Sequence, residues 1–232
     1  MLRGASISIE AGELIGLIGA SGSGKTVLAR CLIGLETWDT GRLVVDDLTI
    51  DHPYSVDDPI WLGVRRKVGF VAQNRALPPY RTAYAQIAEG PKFVKGSSQD
   101  DIDLKMGQWI GRLGLTPHLN KYPAELSGGQ LARVCLARAL VMEPRYLICD
   151  EITAGLDPIT ASEVAVALLE VIQSGVGLLL ISHQIEFLKR YATRVDFLQS
   201  GQIVAAGLPE SMLVAPEHKG LREFLAGVTL GR

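Results

Sequence analysis

The sequence predicts an α/β fold: a largely parallel sheet carrying helices, with a small antiparallel β layer and an inserted α-helical subdomain. Three observations predict it. Apolar runs "ELIGLIG" (13–19), "RYLICD" (145–150) and "GLLLIS" (177–182) have the length of buried strands, and a stretch of helical spacing follows each. Glycine-rich "GASGSGKT" (19–26) joins the first run to its helix, as at the opening of a βαβ unit. Between the first run and the second, residues 75–125 read as loosely joined helices. A chain of 232 residues accommodates this as one domain, with 1–74 and 127–232 as the core and 75–126 as the helical subdomain.

The elements follow in order. "ISIEAGELIGLIG" (7–19) reads as two strands broken at Ala11-Gly12, and "KTVLARCLIGL" (25–35) as a helix. "GRLVVDDLTID" (41–51) and "RRKVGFVAQ" (65–73) read as the antiparallel layer, with Arg65-Arg66-Lys67 as a solvated strand start. In "SSQDDIDLKMGQWIGRLGL" (97–115), Ser97 or Ser98 caps a helix, and Asp100 and Asp101 suit the positive end of its dipole. Ile102, Met106, Trp109, Ile110 and Leu113 share one apolar face. Helix "QLARVCLARALVM" stops before Pro144. After strand 145–150 come helix "ITASEVAVALLEVIQ", strand 177–182, helix "QIEFLKRYAT", a hairpin "VDFLQSGQIVAAG" and a helical tail.

Composition narrows the function. With 23 Lys+Arg against 25 Asp+Glu, the net charge is -2, which argues against a nucleic-acid groove. Cys31, Cys135 and Cys149 sit in apolar runs without metal-ligand spacing and read as buried thiols in a reducing compartment. No signal peptide is visible, and no apolar run approaches the ~20 residues of a membrane helix. The expectation is a protein soluble by itself that can dock on a membrane protein.

The glycine-rich segment carries the chemistry. It fits GxxxxGK[ST], so the core is expected to be a P-loop NTPase (RecA-like) fold. Backbone N–H groups of Gly19, Ala20, Ser21, Gly22, Ser23 and Gly24 can turn onto phosphate oxygens without side chains in the way. The following helix, opening at Lys25, Thr26 and Val27, adds its positive N-terminus. Lys25 reaches the β- and γ-phosphates of ATP, and Thr26 offers a hydroxyl to Mg²⁺. Asp150 and Glu151 end the strand 145–150 at the sheet edge where open α/β folds bind ligands. There Asp150 can hold Mg²⁺ and Glu151 can orient or deprotonate a water. His183 ends the next buried strand and can bond a γ-phosphate or fix the water and Glu151. Gln73 ends strand 65–73 and offers an amide to Mg²⁺ or water. His52, His118 and His218 carry no assignment.

"LSGGQ" (126–130) has two readings. Ser127 and Gln130 form a capping box for the helix that begins near 130. Gly128 and Gly129 weaken a first helical turn by roughly 1 kcal/mol each relative to alanine. A close approach to the backbone explains them, and an anion held at the helix N-terminus is the candidate.

In this order "GASGSGKT", Gln73, "LSGGQ", "YLICDE", "AGLD" (154–157) and His183 resemble the ATPase subunits of ABC transporters over essentially the whole chain. "QNRALPPYRTAYAQIAEGPKFVKG", "KYPAELSGGQLARVCLARALVMEPR" and "APEHKGLREFLAGV" look like the polar amino acid uptake branch. The resemblance implies a head-to-tail pair, most simply a homodimer. Leu126, Ser127, Gly128, Gly129 and Gln130 of one copy would meet the γ-phosphate of ATP held by the other, and Asp157 would communicate across the dimer. It also implies permease subunits in the membrane, a solute-binding protein served indirectly, and a place on the cytoplasmic face of the membrane.

Three departures stand out. Ile152 replaces the usual proline after the glutamate, "TAGLD" replaces the commoner T-S-A-L-D, and the strand and adenine-stacking aromatic expected upstream of "LRGASISIE" are absent. Weakened base stacking, worth ~1–3 kcal/mol in other nucleotide sites, is the consequence if the chain starts at Met1. Two other functions stay open at this level. One is a soluble ABC-type ATPase in repair, translation or cofactor assembly, which co-purification with a soluble partner would favour. The other is an inactive truncated nucleotide-binding subunit, which an upstream in-frame strand would exclude.

Overall fold

The computed structural model describes residues 1–51 and 55–230; His52 lies outside them. β1 (Leu14–Ile18) is buried throughout and runs through the glycine-rich loop into α1 (Lys25–Leu32). β2 (Leu43–Val45) and β3 (Leu48–Ile50) form an antiparallel pair that turns at Asp46 and Asp47. Then come α2 (Ile60–Lys67), β4 (Val68–Val71), α3 (Ala83–Val94), α4 (Gln99–Arg112) and α5 (Gly128–Leu140). The remainder is β5 (Tyr146–Asp150), α6 (Pro158–Gln173), β6 (Gly177–Ile181), α7 (Ile185–Tyr191), β7 (Arg194–Gln199), β8 (Gln202–Gly207) and α8 (Lys219–Leu230).

Six strands form one sheet in the order β4-β5-β6-β1-β7-β8. β4, β5, β6, β1 and β7 are parallel, and β8 closes the sheet antiparallel to β7. Their side chains alternate between two apolar clusters, as strand pleating dictates. Leu147, Leu178 and Leu180 meet Ile87 of α3, Met106 of α4, Leu136 of α5 and Leu168 of α6 on one face. Ile15, Leu17, Ile148 and Leu179 meet Leu28 of α1, Val45, Ile50, and Trp61 and Val64 of α2 on the other. The helices after residue 82 therefore share one core with the sheet. None of the helices among the described residues is long and apolar enough to cross a membrane.

Three sequence expectations are corrected. Residues 7–10 form no strand: Ile7 and Ile9 pack against the second cluster, but no described strand pairs with the segment. Among the described residues only β2 and β3 form the antiparallel layer, because β4 pairs in parallel with β5 at the edge of the main sheet. Arg65, Arg66 and Lys67 are the last turn of α2, not a strand start. Trp61 and Val64, buried three residues apart, mark that helix, and basic residues suit the negative end of its dipole. Arg65 also donates to Ile33 O at 3.0 Å and Gly34 O at 2.8 Å, carbonyls at the end of α1.

In the helical region Ser98 caps α4, its hydroxyl accepting from Asp101 N–H. Ile102, Met106, Ile110 and Leu113 are buried, and Trp109 packs half-buried beside them.

Candidate active site

Parallel pairing brings the C-terminal ends of β1, β4, β5 and β6 to one edge. The glycine-rich loop leaves β1, Gln73 follows β4, Asp150 and Glu151 end β5, and His183 follows β6. The sheet thus assembles these groups from positions over 160 residues of chain.

The loop of Gly19, Ala20, Ser21, Gly22, Ser23 and Gly24 closes over its own lysine. Lys25 Nζ donates to Gly19 O at 2.8 Å and Ala20 O at 3.1 Å. Its burial pulls the ammonium below its usual range, opposed by the charges of Glu151 and Asp150. Ser23 Oγ is buried with no partner among the described residues. Val27 continues the first turn of α1, half-buried.

Asp150 is 1 % exposed, and its Oδ1 is buried with no partner among the described residues. Burial, then the neighbouring Glu151, pushes its carboxyl up; a hydrogen bond with the Thr26 side chain and the charge of Lys25 pull it down. An orphaned carboxylate oxygen beside a threonine hydroxyl is a hard-oxygen donor set, and it fits Mg²⁺, which is held by one or two carboxylates together with phosphates. Among the described residues no group of three His, Cys, Asp or Glu could hold a metal, so a zinc-type site has no candidate there.

Glu151 is the centre of a hydrogen-bonded chain. Gln73 Nε2 donates to its Oε2 at 2.9 Å, and His183 Nε2 lies 3.0 Å from its Oε1. Its backbone is left-handed, φ 46°, and its N–H donates to Ile181 O at 3.0 Å. A non-glycine residue in that region is held there by its surroundings, a feature concentrated at functional sites. Both departures in the following loop are accommodated. Ile152 is buried in the first apolar cluster, and Gly155 takes φ 71°, which a glycine adopts without strain.

Ser127 and Gln130 form the expected capping box: Gln130 N–H donates to Ser127 Oγ at 3.3 Å, and Ser127 N–H to Gln130 Oε1 at 3.0 Å. Leu126 is buried just before it. The expectation for Gly128 and Gly129 is corrected. A Cβ on Gly128 would stand 2.6 Å from Leu156 Cδ2, and one on Gly129 2.3 Å from Thr160 Cγ2. What approaches the backbone is the chain's own α6 and the loop before it, so the glycines do not by themselves call for an anion. No hydrogen bond among the described residues joins 127–130 to 19–26. Asp157 caps α6, accepting from Ile159 N–H at 3.1 Å and Thr160 N–H at 3.0 Å.

Sequence reasoning missed Arg75, whose guanidinium donates to Ala154 O at 2.7 Å. Its place two residues after Gln73 was the only available signal. All three cysteines are buried and free.

Residues 2–154 match the family described as ABC transporter. The L-cystine import ATP-binding protein TcyC of Bacillus subtilis is 37% identical over 225 residues, 97% of this chain and 91% of that protein. The glutamine transport ATP-binding protein GlnQ of Escherichia coli is 34% identical over 229 residues, 99% and 94% of the two chains. Among solved structures, cbiO1 from Clostridium perfringens, part of the ABC transporter complex cbiONQ, superposes with a TM-score of 0.80 at 28% identity, covering 99% and 88%. A dimeric ATP-binding cassette in a post-hydrolysis state, bound to ADP and Pi, gives 0.77 at 26%, covering 90% of each chain.

Proposed function

The chain belongs to the ABC transporter family, and from that premise we propose that it is the ATP-hydrolysing subunit that energises an importer of polar amino acids. The observation that carries the reading is the Gln73–Glu151–His183 chain, on the same sheet edge as the Lys25 loop. The names of the relatives, cystine and glutamine import or transport proteins, support the solute class.

Each residue then has a task. Lys25 exchanges its bonds to Gly19 O and Ala20 O for phosphate oxygens, while loop N–H groups hold the rest of the phosphate chain. Thr26, Asp150 and Gln73 would hold Mg²⁺, which when bound would neutralise charge on the phosphates. Glu151 takes the proton of the attacking water. His183 and Gln73 fix its carboxylate, and lone pairs on both oxygens remain free to accept. In a head-to-tail homodimer the N–H groups opening α5, with Ser127, would face the ATP of the second copy, and Asp157 would lie near the contact.

The helical subdomain (75–126) would contact the permease subunits. That would place the chain on the cytoplasmic face of the membrane, with a solute-binding protein acting through the permease. The net charge of -2 argues against a nucleic-acid groove.

The test is phosphate release from ATP by the purified chain. Release should require Mg²⁺, and Glu151→Gln should lower it at least about a hundredfold while ATP still binds. An unchanged rate in that variant removes Glu151 as the base.

A further inference from the structure

Arg75 stands in the segment that leads from Gln73 to α3, on neither helix nor strand. Its backbone is left-handed, φ 46°, and its N–H donates to Ala72 O at 3.1 Å. That turn brings the side chain back toward the site. Nη2 donates to Ala154 O at 2.7 Å, and Nη1 reaches Gly128 O at 3.5 Å. Ala154 lies between Glu151 and Asp157, and Gly128 is the first residue of α5. One half-buried guanidinium thus touches the loop that follows Glu151 and the start of α5. No carboxylate pairs with it among the described residues, so its donors serve backbone carbonyls. The Gln73–Glu151 hydrogen bond crosses between the same segments as the Arg75–Ala154 bond. The first is exposed and the second part-buried, and the other arm of the same guanidinium reaches Gly128 O, a pair of contacts that a lysine reproduces only in part.

We propose that Arg75 is a positioning residue. It holds residues 73–76 against the loop 151–157 and the start of α5, and so keeps Gln73 on Glu151 and fixes the N–H groups of Gly128 and Gly129 relative to that carboxylate. It touches none of the reacting atoms. This rests on the reading of Glu151 as the base. Loss of Arg75 should therefore affect turnover and leave nucleotide binding by the Lys25 loop alone.

The experiment compares the full chain with Arg75→Met, which keeps the apolar stem and removes every donor, and Arg75→Lys, which keeps one charged donor for Ala154 O. For Arg75→Met the expected result is a kcat about tenfold lower, a KM for ATP within about twofold, and faster amide exchange at residues 152–156. Arg75→Lys should recover most of kcat. A kcat for Arg75→Met within about twofold of the parent overturns the proposal, as does a parallel rise in KM beyond about twofold or equal damage by Arg75→Lys. Should the parent release no phosphate, the reading of Glu151 fails first. The exchange at 152–156 then still decides whether Arg75 holds that loop, and unchanged exchange overturns the proposal.

Discussion

Asp150 shows how much a single residue at this site gives up in stability. Its carboxylate is almost fully buried, one oxygen lacks a partner among the described residues, and burial pushes its carboxyl above the usual range. A charge placed so costs the ligand-free fold free energy at neutral pH. Asp150→Asn keeps the shape and a bond to Thr26 while removing the charge. We predict that it raises Tm without nucleotide by about 2–4 °C, the shift that ~1 kcal/mol produces at this chain length, while Mg²⁺-dependent hydrolysis falls. A lower Tm in the ligand-free variant would contradict this. The residue-level site was legible where chemistry dictates letters: Lys25, Thr26, Asp150, Glu151 and His183 follow from a phosphate loop and from strand ends. Arg75 was not, because an arginine bonding to backbone carbonyls leaves no pattern in the sequence.

At the scale of elements, the opening of α5 separates two physical accounts. Helix propensity alone favours alanine over glycine by about 1 kcal/mol. Packing opposes it, since a Cβ on Gly129 would lie 2.3 Å from Thr160 Cγ2 at the start of α6. Overpacking of this kind costs about 1–3 kcal/mol and should win. Gly129→Ala should therefore melt lower, and adding Thr160→Ser, which keeps the hydroxyl for Asp157 and removes the methyl, should restore most of the loss. A Gly129→Ala chain as stable as the parent would show that the two helices part easily. The capping box was readable because it is local, whereas the contact with α6 joins positions 31 residues apart. α2 was misread for a related reason: its basic last turn masked a short helix whose evidence was only two buried residues, Trp61 and Val64.

Over the whole molecule, five parallel strands do the assembling. Apolar runs made the strands visible, but the order β4-β5-β6-β1-β7-β8 came only from the structure. That order lets Gln73 meet Glu151 across 78 positions of sequence. The helical face and the edge of the sheet share one apolar cluster. Among the described residues the N–H groups opening α5 make no hydrogen bond to the chain's own phosphate loop, and the proposed head-to-tail dimer would bring them to the ATP of a second copy. The most direct test is the mass in solution of the Glu151→Gln chain, measured by light scattering with and without Mg²⁺ and ATP. The account predicts one copy without nucleotide and two copies with it. A chain that binds ATP to saturation yet stays at the mass of one copy would contradict it.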